Sequence, residues 1–138
     1  MRIGEKLAAT AAVIGTAVLG GVVAAAPATA APMDAGIHLT AGHDVGVYGK
    51  DVYPVDSNKI APNLLYPSRP GIPTDGIDAD CYTSKGSAVN GHDNRWYHTV
   101  YLYYNHNGGK LQKYAWVYAP YVDNSAAANE YLIPDCQY

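Results

Sequence analysis

The chain has 138 residues, with 9 Lys plus Arg against 12 Asp plus Glu and a formal net charge of −3. This balance excludes nucleic acid as a partner, because phosphate binding needs a concentrated Lys/Arg patch, and no basic run points to an anionic membrane. Tyrosine occurs 13 times, Trp twice and Phe never; rings with wettable hydroxyls suit amphiphilic faces around a thin core.

The N-terminus has the anatomy of a secretory signal. Met1, Arg2 and Lys6 form a cationic start, Leu7 to Ala26 is an unbroken run of apolar and small residues, and Ala28-Thr29-Ala30 is a small-residue cleavage site. Residues 1–30 are therefore expected to be a removed signal peptide, not a retained anchor. Its loss takes Arg2, Lys6 and Glu5, leaving 108 residues, 7 basic and 11 acidic, with net charge −4. A chain of that size supports one small domain. After signal cleavage no membrane contact is expected.

Residues 31–43 are small and weakly patterned and are expected to be a flexible leader, with the domain spanning 44–138. Strand texture starts at Val45 and runs toward Val55, where Pro54 restricts it to an edge or an ending. Residues 56–76, with Pro62, Pro67, Pro70 and Pro73, predict a long proline-stiffened loop without a helix. Loops of this size in small domains are more often functional than idle.

Residues 77–83 predict a strand with Ile77, Ala79, Cys81 and Thr83 on one face and Asp78, Asp80 and Tyr82 on the other. Turns follow at 84–87 and at 90–94, the latter with an Asn-Gly hairpin signal. The strongest strand covers 95–104, with Trp96, His98, Val100, Leu102 and Tyr104 opposite Tyr97, Thr99, Tyr101 and Tyr103. A turn at 105–109 returns the chain as an antiparallel strand over 111–118. Residues 119–122 predict a single tight turn, 124–129 an exposed stretch, and 130–133 a last short strand. Short sequential strands without alternating helices make an all-β barrel or sandwich.

Cys81 and Cys136 are the two cysteines, and an even count in an exported chain predicts one disulfide. A redox pair or a metal site would need closer spacing, such as Cys-x-x-Cys. The bridge closes a loop of about 56 residues, credited with roughly 4 kcal/mol by chain entropy.

The order of these elements resembles the bacterial SH3-like domains of exported and cell-wall-associated proteins, over about residues 77–136. The likeness rests on a strand with Cys81, Trp96-Tyr97 opening a strand that carries Val100, then Tyr114-Ala115-Trp116-Val117 and Tyr121-Val122. It implies a small SH3-like barrel and a binding role without catalysis. Two departures stand out. The usual Arg-Ser-Gly-Pro stretch is replaced by 55–71, and Val100 lies one residue late after Trp96, which implies a bulge.

Catalytic constellations are thin. His43-Asp44 and His92-Asp93 are sequence neighbours, which point to opposite faces of a strand. There is no Gly-x-Ser-x-Gly elbow and no spare thiol. Asp78 and Asp80 share a face, yet glycosidase chemistry needs opposed carboxylates in a cleft. His92, His98 and His106 match no metal spacing, so no cofactor or metal is expected.

The candidate binding residues are Tyr97, Tyr101, Tyr103, Tyr114, Trp116 and Tyr118, which adjacent strands would bring about 5 Å apart as one aromatic plate. If exposed, it suits sugar rings or an extended peptide. The expected function is a secreted non-enzymatic module binding a cell-wall peptide or glycan, or an extracellular protein. The alternative is a secreted inhibitor of an extracellular hydrolase that presents the proline-rich loop on a β scaffold.

Overall fold

Apolar residues that alternate with polar ones between Ile77 and Tyr118 build the centre of the fold as a three-stranded meander. A computed structural model describes residues 35–49 and 58–137. The expected signal peptide, the first leader residues and Pro54 lie outside the described residues. The meander consists of β4 (Gly76–Thr83), β5 (Trp96–Tyr104) and β6 (Gly109–Tyr118). It is flanked by β1 (Ala35–His38), β2 (Val45–Tyr48) and β3 (Lys59–Leu64), and followed by helices α1 (Ala119–Asp123) and α2 (Ala126–Asn129). All strands pair antiparallel in one sheet of order β1-β4-β5-β6-β2-β3. The sheet is open, with β1 and β3 as its edges. One disulfide, Cys81–Cys136, joins β4 to the C-terminal tail.

Two segments differ from the sequence expectation by gaining strands. Residues 35–38, expected within a flexible leader, form β1 in register with β4, Ile37 opposite Ile77. Ile37 and Leu39 enter the core two residues apart, a short period-two signal among glycines and alanines. The proline-rich stretch contains β3, where Val45 pairs with Leu64 and Val47 with Ala61. The irregular register between those pairs and the edge position accommodate Pro62, which has no N–H to give a ladder.

The C-terminal part also differs. Residues 130–133 form turns and bends, with Tyr131 at φ 56° and Leu132 N–H donating to the Ala127 carbonyl at 2.9 Å. Residues 124–129, expected exposed, hold α2, and Ser125, Ala127 and Ala128 are buried. Small side chains let this single turn lie against the sheet, which composition alone cannot distinguish from a solvated loop. Asp123 secures it, accepting hydrogen bonds from Ala126 N–H (3.2 Å), Ala127 N–H (3.0 Å) and the Tyr97 hydroxyl (2.8 Å). Burial holds the Asp123 carboxyl above the usual carboxylate range.

The main core lies between the sheet's inner face and the helices, with Val45, Val47, Leu64, Ile77, Tyr97, Leu102, Val117 and Val122 essentially inaccessible. A second cluster packs Trp96 between Tyr48 (5.8 Å between centroids) and Tyr118 (5.1 Å). The Trp96 indole N–H donates to the Ser87 carbonyl at 3.0 Å. A Cβ on Gly86 would lie 2.0 Å from that indole, so only glycine fits there.

Three core tyrosines give the fold an alkaline limit. Burial is the first cause that raises the pKa of Tyr97, Tyr104 and Tyr118 above 10.0, aided by Asp123 at Tyr97 and Asp75 at Tyr104. A folded pKa above the unfolded one adds stability that is complete below pH 10.0 and is lost as pH rises through the folded values. These three should therefore ionise only with unfolding. Tyrosinate absorbance followed beside near-ultraviolet circular dichroism checks this. One reversible titration of every tyrosine with the dichroism intact would contradict it.

Candidate functional site: the outer face of the meander

The face of β4–β5–β6 turned away from the core carries most of the chemistry. Irregular register at Val100 decides which side chains reach it. From Ile77 to Ala79 β4 advances two residues, while β5 advances three from Thr99 to Leu102 and β6 four from Leu111 to Ala115. The bulge implied by the position of Val100 is thus present. It changes the phase of β5: Tyr97 and Thr99 are buried before it, Leu102 and Tyr104 after it. His98, Tyr101 and Tyr103 remain half-exposed. A second irregularity between Ala79 and Cys81 places Cys81 opposite His98 and Tyr82 opposite the buried Tyr97. Cys81 therefore shares the face of Asp80 and His98, and Tyr82 packs on the core, unlike the strict alternation expected.

Four of the six expected binding residues share the outer face: Tyr101, Tyr103, Tyr114 and Trp116. Tyr114 is 62% exposed. Tyr97 faces the main core at 0% exposed, whereas Tyr118 stands on the Trp116 side of β6 opposite Trp96 but is covered, at 3% exposed. Tyr97 bonds Asp123, and the Tyr118 hydroxyl donates to the Asp93 carbonyl and accepts from Val89 N–H at 3.0 Å. Tyr118 thereby fastens the loop between β4 and β5 instead of meeting a ligand.

The remaining aromatics form two groups. In the first, the His98 ring lies 5.0 Å from Trp116 and 5.9 Å from Tyr114, stacked at 14° on the latter. Its Nδ1 is 2.7 Å from Asp80 Oδ1, which fixes the ring. In the second, Tyr101 and Tyr103 lie 6.4 Å apart, and the Lys110 ammonium sits 4.1 Å and 5.1 Å from their centroids. The Tyr103 hydroxyl donates to Asp78 Oδ2. Asp78 and Asp80 each serve one aromatic group and do not oppose each other across a cleft.

The expected histidine positions do not converge. His98 pairs with Asp80, His106 with Asp75, and His92 meets the edge of Tyr121 at 6.1 Å. Asp80, Cys81 and His98 bring potential ligand atoms within 4.8 Å, but the Cys81 sulfur is bonded to Cys136 and offers no thiolate. Asp44 accepts Tyr66 N–H at 2.7 Å, and Asp93 accepts Arg95 N–H at 3.0 Å and the Ser125 hydroxyl at 3.0 Å. Neither carboxylate bonds the histidine beside it.

Sequence reasoning missed one constellation. Asp75 is fully buried, and both its oxygens lie 2.8 Å from His106 Nδ1. It also accepts His106 N–H at 3.1 Å and Leu65 N–H at 2.8 Å. The pair ties the base of the 66–74 loop to the β5–β6 turn and borders a cleft of about 400 Å³ lined by Tyr104, Pro62 and Leu65. A lone acid before an apolar strand and a histidine in a turn were the only signals, 31 residues apart. No helix among the described residues is long and apolar enough to cross a membrane. Comparison with known proteins finds no family model, no curated protein and no solved structure that matches this chain.

Proposed function

We propose that the chain is an exported, non-enzymatic binding module that attaches through the outer face of β4–β6 to a cell-wall peptide or glycan, or to an extracellular protein. The carrying observation is that Tyr101, Tyr103 and Tyr114 lie outside both core clusters on one sheet face, beside the partly buried Trp116 and interleaved with Asp78, Asp80, His98 and Lys110. Core packing accounts for Trp116, which rests on the Tyr48–Trp96–Tyr118 cluster, but not for Tyr101, Tyr103 or Tyr114. Flat rings beside fixed carboxylates suit sugar rings and extended peptides. The fold is read as a variant of the SH3-like barrel, supported by the meander, the bulge at Val100 and the helical turn at 119–123. Export is read from the signal-like residues 1–30 and accords with the disulfide.

Sedimentation with purified peptidoglycan tests this reading. Tyr114→Ala combined with Trp116→Ala should lower retention about tenfold or more, at roughly 1–2 kcal/mol per stacked ring lost. Far-ultraviolet circular dichroism should keep its β signature, with some loss of stability from Trp116, which packs against the Tyr48–Trp96–Tyr118 cluster, and none from the exposed Tyr114. Equal retention of variant and parent would refute the assignment of the face.

One observation favours a second reading, inhibition of an extracellular hydrolase. The 66–74 loop is exposed from Ser68 to Pro73 and turns at Pro70-Gly71, where Gly71 has φ +86° and Ile72 N–H reaches the Arg69 carbonyl at 3.4 Å. That is a type II turn, and Asp75 clamps the base of its loop. A preordered loop lowers the entropic cost of docking. Under this reading Arg69→Ala with Pro70→Ala abolishes inhibition and leaves wall retention alone.

A further inference from the structure

Within the outer face one group already holds a cation. We propose that Tyr101, Tyr103 and Asp78 form a subsite for a primary alkylammonium group, occupied in the free protein by the protein's own Lys110. The ligand is an extracellular peptide with a free side-chain amine, such as that of a diamino acid. This rests on the reading of the outer face as the binding surface and names what one end of it recognises.

The Lys110 ammonium lies over both rings, 4.1 Å from the Tyr101 centroid and 5.1 Å from that of Tyr103. Ring faces carry negative quadrupole potential, so an ammonium is the charge type they attract. The rings tilt 34° from each other at 6.4 Å, forming two walls of a shallow angle. Asp78 adds a carboxylate whose Oδ2 accepts the Tyr103 hydroxyl. Gly36 of β1 stands opposite Asp78, and a Cβ there would come within 3.5 Å of Oδ1. With no side chain at Gly36, Asp78 and Tyr103 line a depression of about 190 Å³, bordered by His38 and Asn105. Lys110 itself is exposed on β6 opposite Tyr103, and its flexible stem can swing clear. A tethered ammonium that occupies the walls in the free state shows the chemistry they accept and competes with any ligand that carries the same group.

The test is a two-dimensional amide NMR titration with Nα-acetyl-lysine N-methylamide, against the same probe acetylated at its side-chain nitrogen. The expected result is saturable shifts at Gly36, Asp78, Tyr101 and Tyr103 with the free amine and none with the acetylated probe. Lys110→Met should tighten binding about three- to sixfold, the factor set by removing a weak internal competitor. Asp78→Asn should weaken it. Equal response to both probes, or unchanged or weaker binding by Lys110→Met with a preserved spectrum, would overturn the proposal. The wall assay is separate: amine binding without peptidoglycan retention supports the subsite and refutes the wall reading, and retention without amine binding does the reverse.

Discussion

Replacing Cys81 and Cys136 together by alanine is expected to cost about 4 kcal/mol of unfolding free energy, the largest loss from any single covalent feature of this fold. The two cysteines are 55 residues apart, so the bridge closes a loop that contains β5, β6 and both helices. Opening it gives the unfolded chain freedom that the native state does not share. The native tail keeps other attachments: Tyr82 N–H to the Pro134 carbonyl (2.9 Å), Cys136 N–H to the Tyr82 carbonyl (2.7 Å), and buried Ile133. The folded state should therefore survive with its spectrum largely intact while its denaturation midpoint falls. Small domains hold only about 5–15 kcal/mol in total, so the variant should be close to half unfolded under mild heating. Urea titration of the double variant, beside the parent with and without reductant, measures the effect. A loss under about 1 kcal/mol would show that tail docking, not chain closure, carries the stability.

Asp75→Ala is expected to cost about 3 kcal/mol and to release the base of the 66–74 loop. Its carboxylate is fully buried and answers three donors: Leu65 N–H, His106 N–H and the His106 ring. Truncation would leave those groups without an acceptor and open a small void beside them. The His106 side chain is 22% exposed, so water can reach the ring and soften part of the loss. Hydrogen exchange should quicken first at Leu65 and His106, well before global unfolding. Asp75→Asn, which retains a carbonyl acceptor, should recover part of the stability. Protection at Leu65 and His106 that stays at parent levels would contradict the assigned role. If the loop serves inhibition, Asp75→Ala should also weaken it while wall retention holds.

Much of the meander was legible because its signals are local. Period-two alternation marked β4, β5 and β6, and turn residues marked the loops between them. The late position of Val100 after Trp96 announced the bulge. The edge strands β1 and β3 were not legible, because their residues are small or interrupted by Pro62 and their strand state depends on distant partners: Ile77 for Ile37, Val45 for Leu64. The candidate site was half legible. Parity counted through Val100 put Tyr97 with Tyr101, but the phase change buries the first and leaves the second half-exposed. Tyr118 does share a side of β6 with Trp116, as expected, but the loop between β4 and β5 covers it, its hydroxyl holding Val89 and Asp93. Asp75 and His106 could not be paired from sequence, since only the folded sheet brings them together.

The unequal advance of the three central strands, two residues on β4, three on β5 and four on β6, marks bulges that bend and twist the meander at that level. Its aromatic surface carries two footholds, His98 with Tyr114 and Trp116 on one side of the bulges and Tyr101 with Tyr103 on the other. A ligand that spans both gains a second grip at high effective concentration once the first has formed, so a repeating polymer is held far better than its monomer.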